Sequence, residues 1–248
     1  MGYNYKIILQ YEGTRYHGWQ KQGNTENTIQ GRLEKVLERL NGSPVEVYGS
    51  GRTDAGVHAA GQVANFHLAK EHEPEVVKRY LNQYLPEDIS VLKAGRVTER
   101  FHSRLNAIEK IYRYQIETGE KRDVFGRRMQ YALGEPLDIR AMQTAAGFLC
   151  GTHDYKSFCG NPKIKKSTVR TVRQITIQQE QKNSLVVLDF VGNGFLQQMV
   201  RILTGTLIEV GQRKRLPQEM MRILEARDRR QAGFTAPAEG LCLMKVRY

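Results

Sequence analysis

The residues best suited to chemistry lie in Gly49-Ser50-Gly51-Arg52-Thr53-Asp54-Ala55-Gly56-Val57-His58. Asp54 offers a carboxylate that can serve as nucleophile or general base, and Arg52 offers a guanidinium two residues before it. A working carboxylate needs fixed geometry and a partner that keeps it ionised, and arginine supplies both by bidentate pairing. Arg52 can pair with Asp54 or point at a phosphate. The surrounding glycines reach backbone angles closed to other residues, so an Asx-turn or a cap is the plain alternative for Asp54. Arg201, on a helix after Gly192-Asn193-Gly194, is a second candidate partner, with a solvated helix face as its plain alternative.

Three other segments invite a functional reading. Phe101-His102-Ser103-Arg104 sets a ring, an imidazole, a hydroxyl and a cation in a row. That mix suits an unstacked nucleotide, held by stacking and phosphate contact, and equally an ordinary loop with one buried ring. In Tyr112-Arg113-Tyr114, strand alternation sends both tyrosines to one face and Arg113 to the other, either into the core or onto a ligand platform. Lys163-Ile164-Lys165-Lys166-Ser167-Thr168-Val169-Arg170 reads as a solvated loop leading into a strand or as a phosphate track. Cys150, Cys159 and Cys242 lack C-x-x-C spacing and the histidines are scattered, so no catalytic metal is expected and the thiols should pack as small apolar groups.

The elements that must position these residues follow from periodicity. Residues 5–11 read as a strand. Asn27 or Thr28 caps a helix with Ile29, Leu33, Val36, Leu37 and Leu40 on one face, and Asn41-Gly42 stops it. Strands are expected at Val45 to Tyr48 and from Gln62, on either side of the Asp54 loop. Pro74 opens a helix to about Tyr84, and Ile89 to Val97 is a strand. The second half repeats the rhythm: a strand from Lys110 to Glu117, then a helix capped by Asp138 to about Leu149. A hairpin of Val169 to Gln179 and Leu185 to Val191 turns at Gln181-Lys182-Asn183-Ser184. Helices from Phe195 to Val210 and from Pro217, and a strand from Leu241 to Tyr248, complete the chain. Strands and helices mix without regular β-α alternation, so the fold class is α+β with a largely antiparallel sheet. Two similar halves, residues 1–105 with the Asp54 loop and 106–248, are expected to join as one catalytic unit with a cleft between them.

The chain has 248 residues and a formal charge of +12, which favours a polyanionic partner. The positive charge is spread along the chain, unlike a basic amphipathic membrane helix, and no apolar run is long enough to span a bilayer. Met1-Gly2-Tyr3-Asn4-Tyr5 has no signal-peptide pattern, and a reducing cytoplasm is expected. Nucleic acid is the better partner than a membrane. On these residues alone, a non-catalytic RNA-binding module competes with an enzyme, as does a single-carboxylate glycosylase or nuclease.

In six places, in order, the chain resembles the bacterial tRNA pseudouridine synthase A family. Tyr11-Glu12-Gly13-Thr14-Arg15-Tyr16-His17-Gly18-Trp19-Gln20 resembles its N-terminal signature, and Gly51 to His58 its catalytic loop. Phe101 to Arg104, Lys110 to Tyr114, Gly194-Phe195-Leu196-Gln197-Gln198-Met199-Val200-Arg201 and Ala236-Pro237-Ala238-Glu239-Gly240-Leu241 follow. The resemblance implies a pseudouridine synthase fold and isomerisation of uridine at tRNA positions 38, 39 and 40 in the anticodon stem-loop. It also implies a homodimer and no cofactor. By resemblance, Asp54 is the catalytic aspartate, Tyr112 stacks on the uracil and is a candidate base for its C5 proton, Arg201 pairs with the aspartate, and Leu241 packs beside the base. Arg52 is linked to base flipping. Phe101, His102, Ser103, Arg104 and Leu105, and less directly Lys165, Lys166, Ser167, Thr168 and Val169, match tRNA-contacting segments. Tyr155 stands where the family often has Phe, a departure that keeps the ring.

Overall fold

A computed structural model describes residues 2–120, 123–180 and 184–248. The chain divides into two compact units: residues up to Ile108 together with Leu243–Tyr248, and Glu109–Cys242.

The first unit contains β1 (Tyr3–Tyr11), α1 (Ile29–Asn41), β2 (Tyr48–Gly49), β3 (His58–Leu68), α2 (Pro74–Tyr84) and β4 (Ile89–Arg96). β1 lies between β4 and β3, antiparallel to both, with Tyr5 opposite Phe66 and Ile7 opposite Ala64. Alternation along β1 buries Tyr5, Ile7, Leu9 and Tyr11 on one face. The Thr28 hydroxyl caps α1 by accepting the Gly31 amide at 3.2 Å, and Gly42 ends it in the left-handed region. Ile29, Leu33, Val36 and Leu37 form the buried stripe of that helix. Pro74 opens α2, where the missing N–H costs nothing, and the chain leaves the helix at Leu85 ahead of Pro86.

The second unit contains β5 (Glu109–Glu117), β6 (Tyr131–Ala132), α3 (Ile139–Phe148), β7 (Gly151–Asp154), β8 (Val169–Glu180), β9 (Leu185–Gly192), α4 (Met199–Gly211) and α5 (Glu219–Ala226). Its strands run β5-β9-β8-β7 in antiparallel pairs, with the two-residue β6 parallel to β5. α4 is apolar on nearly every side and buried along almost its whole length, while α3 packs on α4 and β8. β10 (Leu241–Arg247) closes the chain, and from Leu243 onward it lies in the first unit beside β3. Ten strands and five α-helices among the described residues make an α+β protein. No helix among them is long and apolar enough to cross a membrane.

Several expected boundaries move, each for a physical reason. Val45 to Val47 is not a strand, because helix side chains take its backbone groups. The Val47 amide donates to Glu34 Oε1 at 3.2 Å, and its carbonyl accepts from Gln30 Nε2 at 3.1 Å. β3 starts four residues before Gln62, at His58. α4 starts at Met199 and not at Phe195, because Gln198 adopts φ 58° and breaks the helical run. β6 and β7 are additions that periodicity did not reveal. Of the expected hairpin turn, Gln181, Lys182 and Asn183 lie outside the described residues.

Candidate active site

The Asp54 loop hangs between β2 and β3 and is braced from three directions. Gln62 of β3, fully buried, accepts from Ser50 Oγ at 2.6 Å and donates to the Gly51 carbonyl at 3.1 Å and to Tyr11 Oη at 3.4 Å. Tyr11 of β1 in turn shares a 2.9 Å hydrogen bond with Thr53 Oγ1. From the N-terminal segment, the Trp19 amide donates to the Thr53 carbonyl at 3.1 Å, and the Gly56 amide donates to the Tyr16 carbonyl at 3.2 Å. Gly18, at φ 88°, approaches so closely that a Cβ there would lie 2.6 Å from the Thr53 carbonyl oxygen. A Cβ on Gly49 would collide with the Trp19 indole. The Tyr-Glu-Gly-Thr-Arg-Tyr-His-Gly-Trp-Gln segment is therefore the mould of the loop. These braces run through Gln62, Tyr11, Thr53 and main-chain groups, and the Asp54 side chain they surround is half-buried.

Arg52 is exposed and turns to Gln20, not to Asp54, with Nε donating to Gln20 Oε1 at 3.0 Å. His58 is buried, and its Nδ1 accepts the Gly13 amide at 3.0 Å, which holds the turn after β1. The 101–106 loop of the same unit is built on two buried asparagines. Asn4 and Asn65 donate to the Phe101 carbonyl at 3.0 and 3.4 Å, and Asn65 Oδ1 accepts the Ser103 amide at 2.8 Å. The Ser103 side chain is fully buried, its hydroxyl donating to the Tyr48 carbonyl. The Phe101 ring packs 5.1 Å from Tyr248, with the Lys6 ammonium 5.3 Å above it, and His102 sits 5.0 Å from the Tyr48 ring. Arg104, Leu105 and Asn106 are the exposed members of this loop.

In the second unit, β5 buries Tyr112 and Tyr114 on one face and sends Arg113 to the other, where it pairs with Asp189 of β9 at 2.8 Å. Phe195 meets the Tyr112 ring edge-on at 5.3 Å. Arg201, on the first turn of α4, donates from Nε to the Ala236 carbonyl at 2.7 Å, and the Ala236 amide donates back to the Arg201 carbonyl at 3.1 Å. The next residue is held as well, since Tyr114 Oη donates to the Pro237 carbonyl at 2.7 Å. Burial pushes the Tyr114 hydroxyl well above its ordinary range; Glu239 adds to the rise and Arg201 opposes it. The phenol therefore stays protonated as a donor. A Cβ on Gly240 would lie 2.6 Å from the Tyr114 ring, so this turn delivers a buried Leu241 close against β5. Arg201, the 236–241 turn and the tyrosine face of β5 thus form one group, and the solvated-face alternative for Arg201 falls.

In the basic tract, Lys165, Lys166, Ser167 and Val169 are exposed, whereas Thr168 turns inward to Asp154. Arg170 is half-buried, donates to the Ser167 and Val169 carbonyls, and has its pKa lowered by that burial. The sequence reading missed Gln62, Asn65, Asn4 and Tyr11 as positioning residues. The available signal was a glutamine and an asparagine three residues apart at positions that an apolar strand would fill with Val or Leu.

A rigid loop presenting a carboxylate, exposed cations and a separately braced tyrosine–arginine group are the features this α+β chain offers to a polyanionic substrate. Comparison with known proteins narrows the class. The sequence pattern described as tRNA pseudouridine synthase matches residues 7–106 and 145–248. A protein of Bacillus sp. strain KSM-64 named tRNA pseudouridine synthase A is 46% identical over 245 residues, covering 99% of both chains. A Clostridium tetani protein named tRNA pseudouridine synthase A 1 is 44% identical, and a Bacillus cereus protein named tRNA pseudouridine synthase A 2 is 42% identical, at the same coverage. The chain belongs to the tRNA pseudouridine synthase family.

Proposed function

We propose that this protein isomerises uridine to pseudouridine in tRNA, and that Asp54 carries out the bond chemistry. Family membership over nearly the whole chain supports the reaction. The observation that supports the assignment of Asp54 is the loop itself, which Gln62, Tyr11 and the Trp19 segment brace around a half-buried carboxylate.

In the reaction the C1′–N1 bond of uridine breaks, the uracil turns, and C1′ bonds to C5; the C5 proton leaves and N1 gains one. No group is transferred and nothing is oxidised. A carboxylate serves this either by attack at C1′ or by removing the C2′ proton. Taking the base out of its stack costs a few kcal/mol. Arg52, exposed at the loop's edge, is assigned to filling the vacated stack. Tyr112, Arg201 and Leu241 are assigned to binding the detached uracil, which must be kept from water until C5 is attacked. Arg104 and Leu105 of the 101–105 segment, and Lys165, Lys166 and Val169, are assigned to contact with the RNA; Phe101, His102, Ser103 and Thr168 shape those surfaces from within. Positions 38, 39 and 40 of the anticodon stem-loop are the proposed targets, a homodimer the proposed assembly, and the cytoplasm the proposed compartment.

A paired measurement tests the reaction. Pseudouridine has the same mass as uridine, so an isomerase releases tritium from C5-labelled tRNA while nucleoside mass stays unchanged. Folded protein that binds tRNA but retains all the tritium would leave a non-catalytic RNA-binding module. Free uracil or cut strands would indicate a glycosylase or nuclease.

A further inference from the structure

We infer that Gln20, Gln30 and Glu34 form a directional hydrogen-bond relay that positions the Arg52 guanidinium for its work on the RNA; this rests on the reading of Arg52 given above. Gln30, a buried residue in the first turn of α1, is held by main-chain groups that cannot reverse their polarity. The Lys21 amide donates to its Oε1 at 2.9 Å, and its Nε2 donates to the Val47 carbonyl at 3.1 Å. Glu34, one turn further along α1, adds a carboxylate acceptor for the same Nε2 at 2.9 Å. The Gln30 amide therefore has one allowed orientation. Its Oε1 also faces Gln20, which must answer with its amide nitrogen, and does so at 3.0 Å. That leaves the Gln20 oxygen, and not its NH2 group, facing Arg52, where it accepts from Nε at 3.0 Å.

The consequence is specific to the geometry of arginine. The relay occupies Nε and leaves the two terminal nitrogens to meet phosphate or base edges. A flipped Gln20 would turn donor against donor and release the side chain. Arg52 is otherwise exposed, and a long side chain free in solvent would have to be ordered anew in each turnover. Glu34 is itself steadied by the Val47 amide at 3.2 Å and by the Lys21 ammonium at 3.2 Å, so the relay runs from α1 to the rim of the Asp54 loop. Gln20, Gln30 and Glu34 are positioning residues, acting on the RNA through Arg52.

The test is a double-mutant cycle in single-turnover tritium release from C5-labelled tRNA, with tRNA Kd and Tm measured alongside. Gln20→Ala is expected to slow release about tenfold, the scale of one charge-assisted hydrogen bond, with Kd changed less than threefold. Gln30→Leu reaches the same link from the helix side and should resemble Gln20→Ala. In an Arg52→Ala background neither substitution should slow the reaction further. Equal losses from Gln20→Ala with and without Arg52 would overturn the relay, as would a normal rate in both Gln20→Ala and Gln30→Leu beside a slow Arg52→Ala. A normal rate for Arg52→Ala would instead remove the role of Arg52, and the relay with it.

Discussion

Asp54 and Gln62 show how labour divides around one carboxylate. Asp54→Asn keeps size and polarity but removes the charge that can attack C1′ or take a proton. Turnover should fall below detection while tRNA affinity stays within about threefold, the pattern of a group that acts mainly in the transition state. Tritium release and filter binding on the same preparation check both halves; retained turnover would clear Asp54 of the catalytic role. Gln62 has the opposite profile. It never needs to meet RNA, yet Gln62→Leu would remove both the acceptor that Ser50 Oγ uses and the donor to the Gly51 carbonyl. We expect a loss of about 1–3 kcal/mol in urea denaturation, together with a lower kcat as the loop loosens. A stable Gln62→Leu variant with full kcat would show that Tyr11 and Trp19 hold the loop unaided.

Helix ends carry the next level of specification, and Asp138 gives it a pH signature. Its carboxylate caps α3, accepting the Ala141 amide at 3.1 Å, with Arg213 at 3.3 Å. The Ala141 bond first, and Arg213 after it, hold the carboxyl below its ordinary 3.8 in the folded chain. On acidification the unfolded chain therefore takes up the proton first. The stabilising contribution is complete above the unfolded value and disappears as pH falls through the lower folded one. Asp138→Asn keeps a capping oxygen without a titration, so it should be less stable than the parent at pH 7, with the difference shrinking as pH falls below the ordinary carboxylate value in a denaturation series. Such caps are why α1, α2 and α3 were legible in the sequence: Thr28, Pro74 and Asp138 mark their starts, and apolar spacing marks their buried faces. The misreadings arose where distant groups overrode local pattern. Val45 to Val47 alternates like a strand, but Gln30 and Glu34 claim its hydrogen bonds; Phe195 to Gln198 has helical composition, but the φ of Gln198 breaks the run. No local signal announces that Gln62 would lie under the Asp54 loop, or that Leu243–Tyr248 would return to the first unit, because both depend on partners far away in sequence. The Asp54 loop stood out by composition; the braces that fix it did not.

For the molecule as a whole, a charge of +12 makes binding to tRNA an exchange of bound cations for lysines and arginines, and that exchange has a measurable stoichiometry. Lys165 and Lys166 are the useful probes, since both are exposed and lie far in sequence from the Asp54 loop. If both touch phosphates, Lys165→Gln with Lys166→Gln should flatten the slope of log K against log salt by roughly 1.5, taking about 0.7–0.9 per contact. Affinity should weaken at low salt, and the parent and variant should converge as salt rises. At saturating tRNA the rate of tritium release should be unchanged, because neither ammonium takes part in bond making. An unchanged slope would return the tract to a solvated loop leading into β8. A changed saturating rate would mean instead that these lysines help seat the target uridine, and the experiment separates the two because one reads binding and the other reads chemistry.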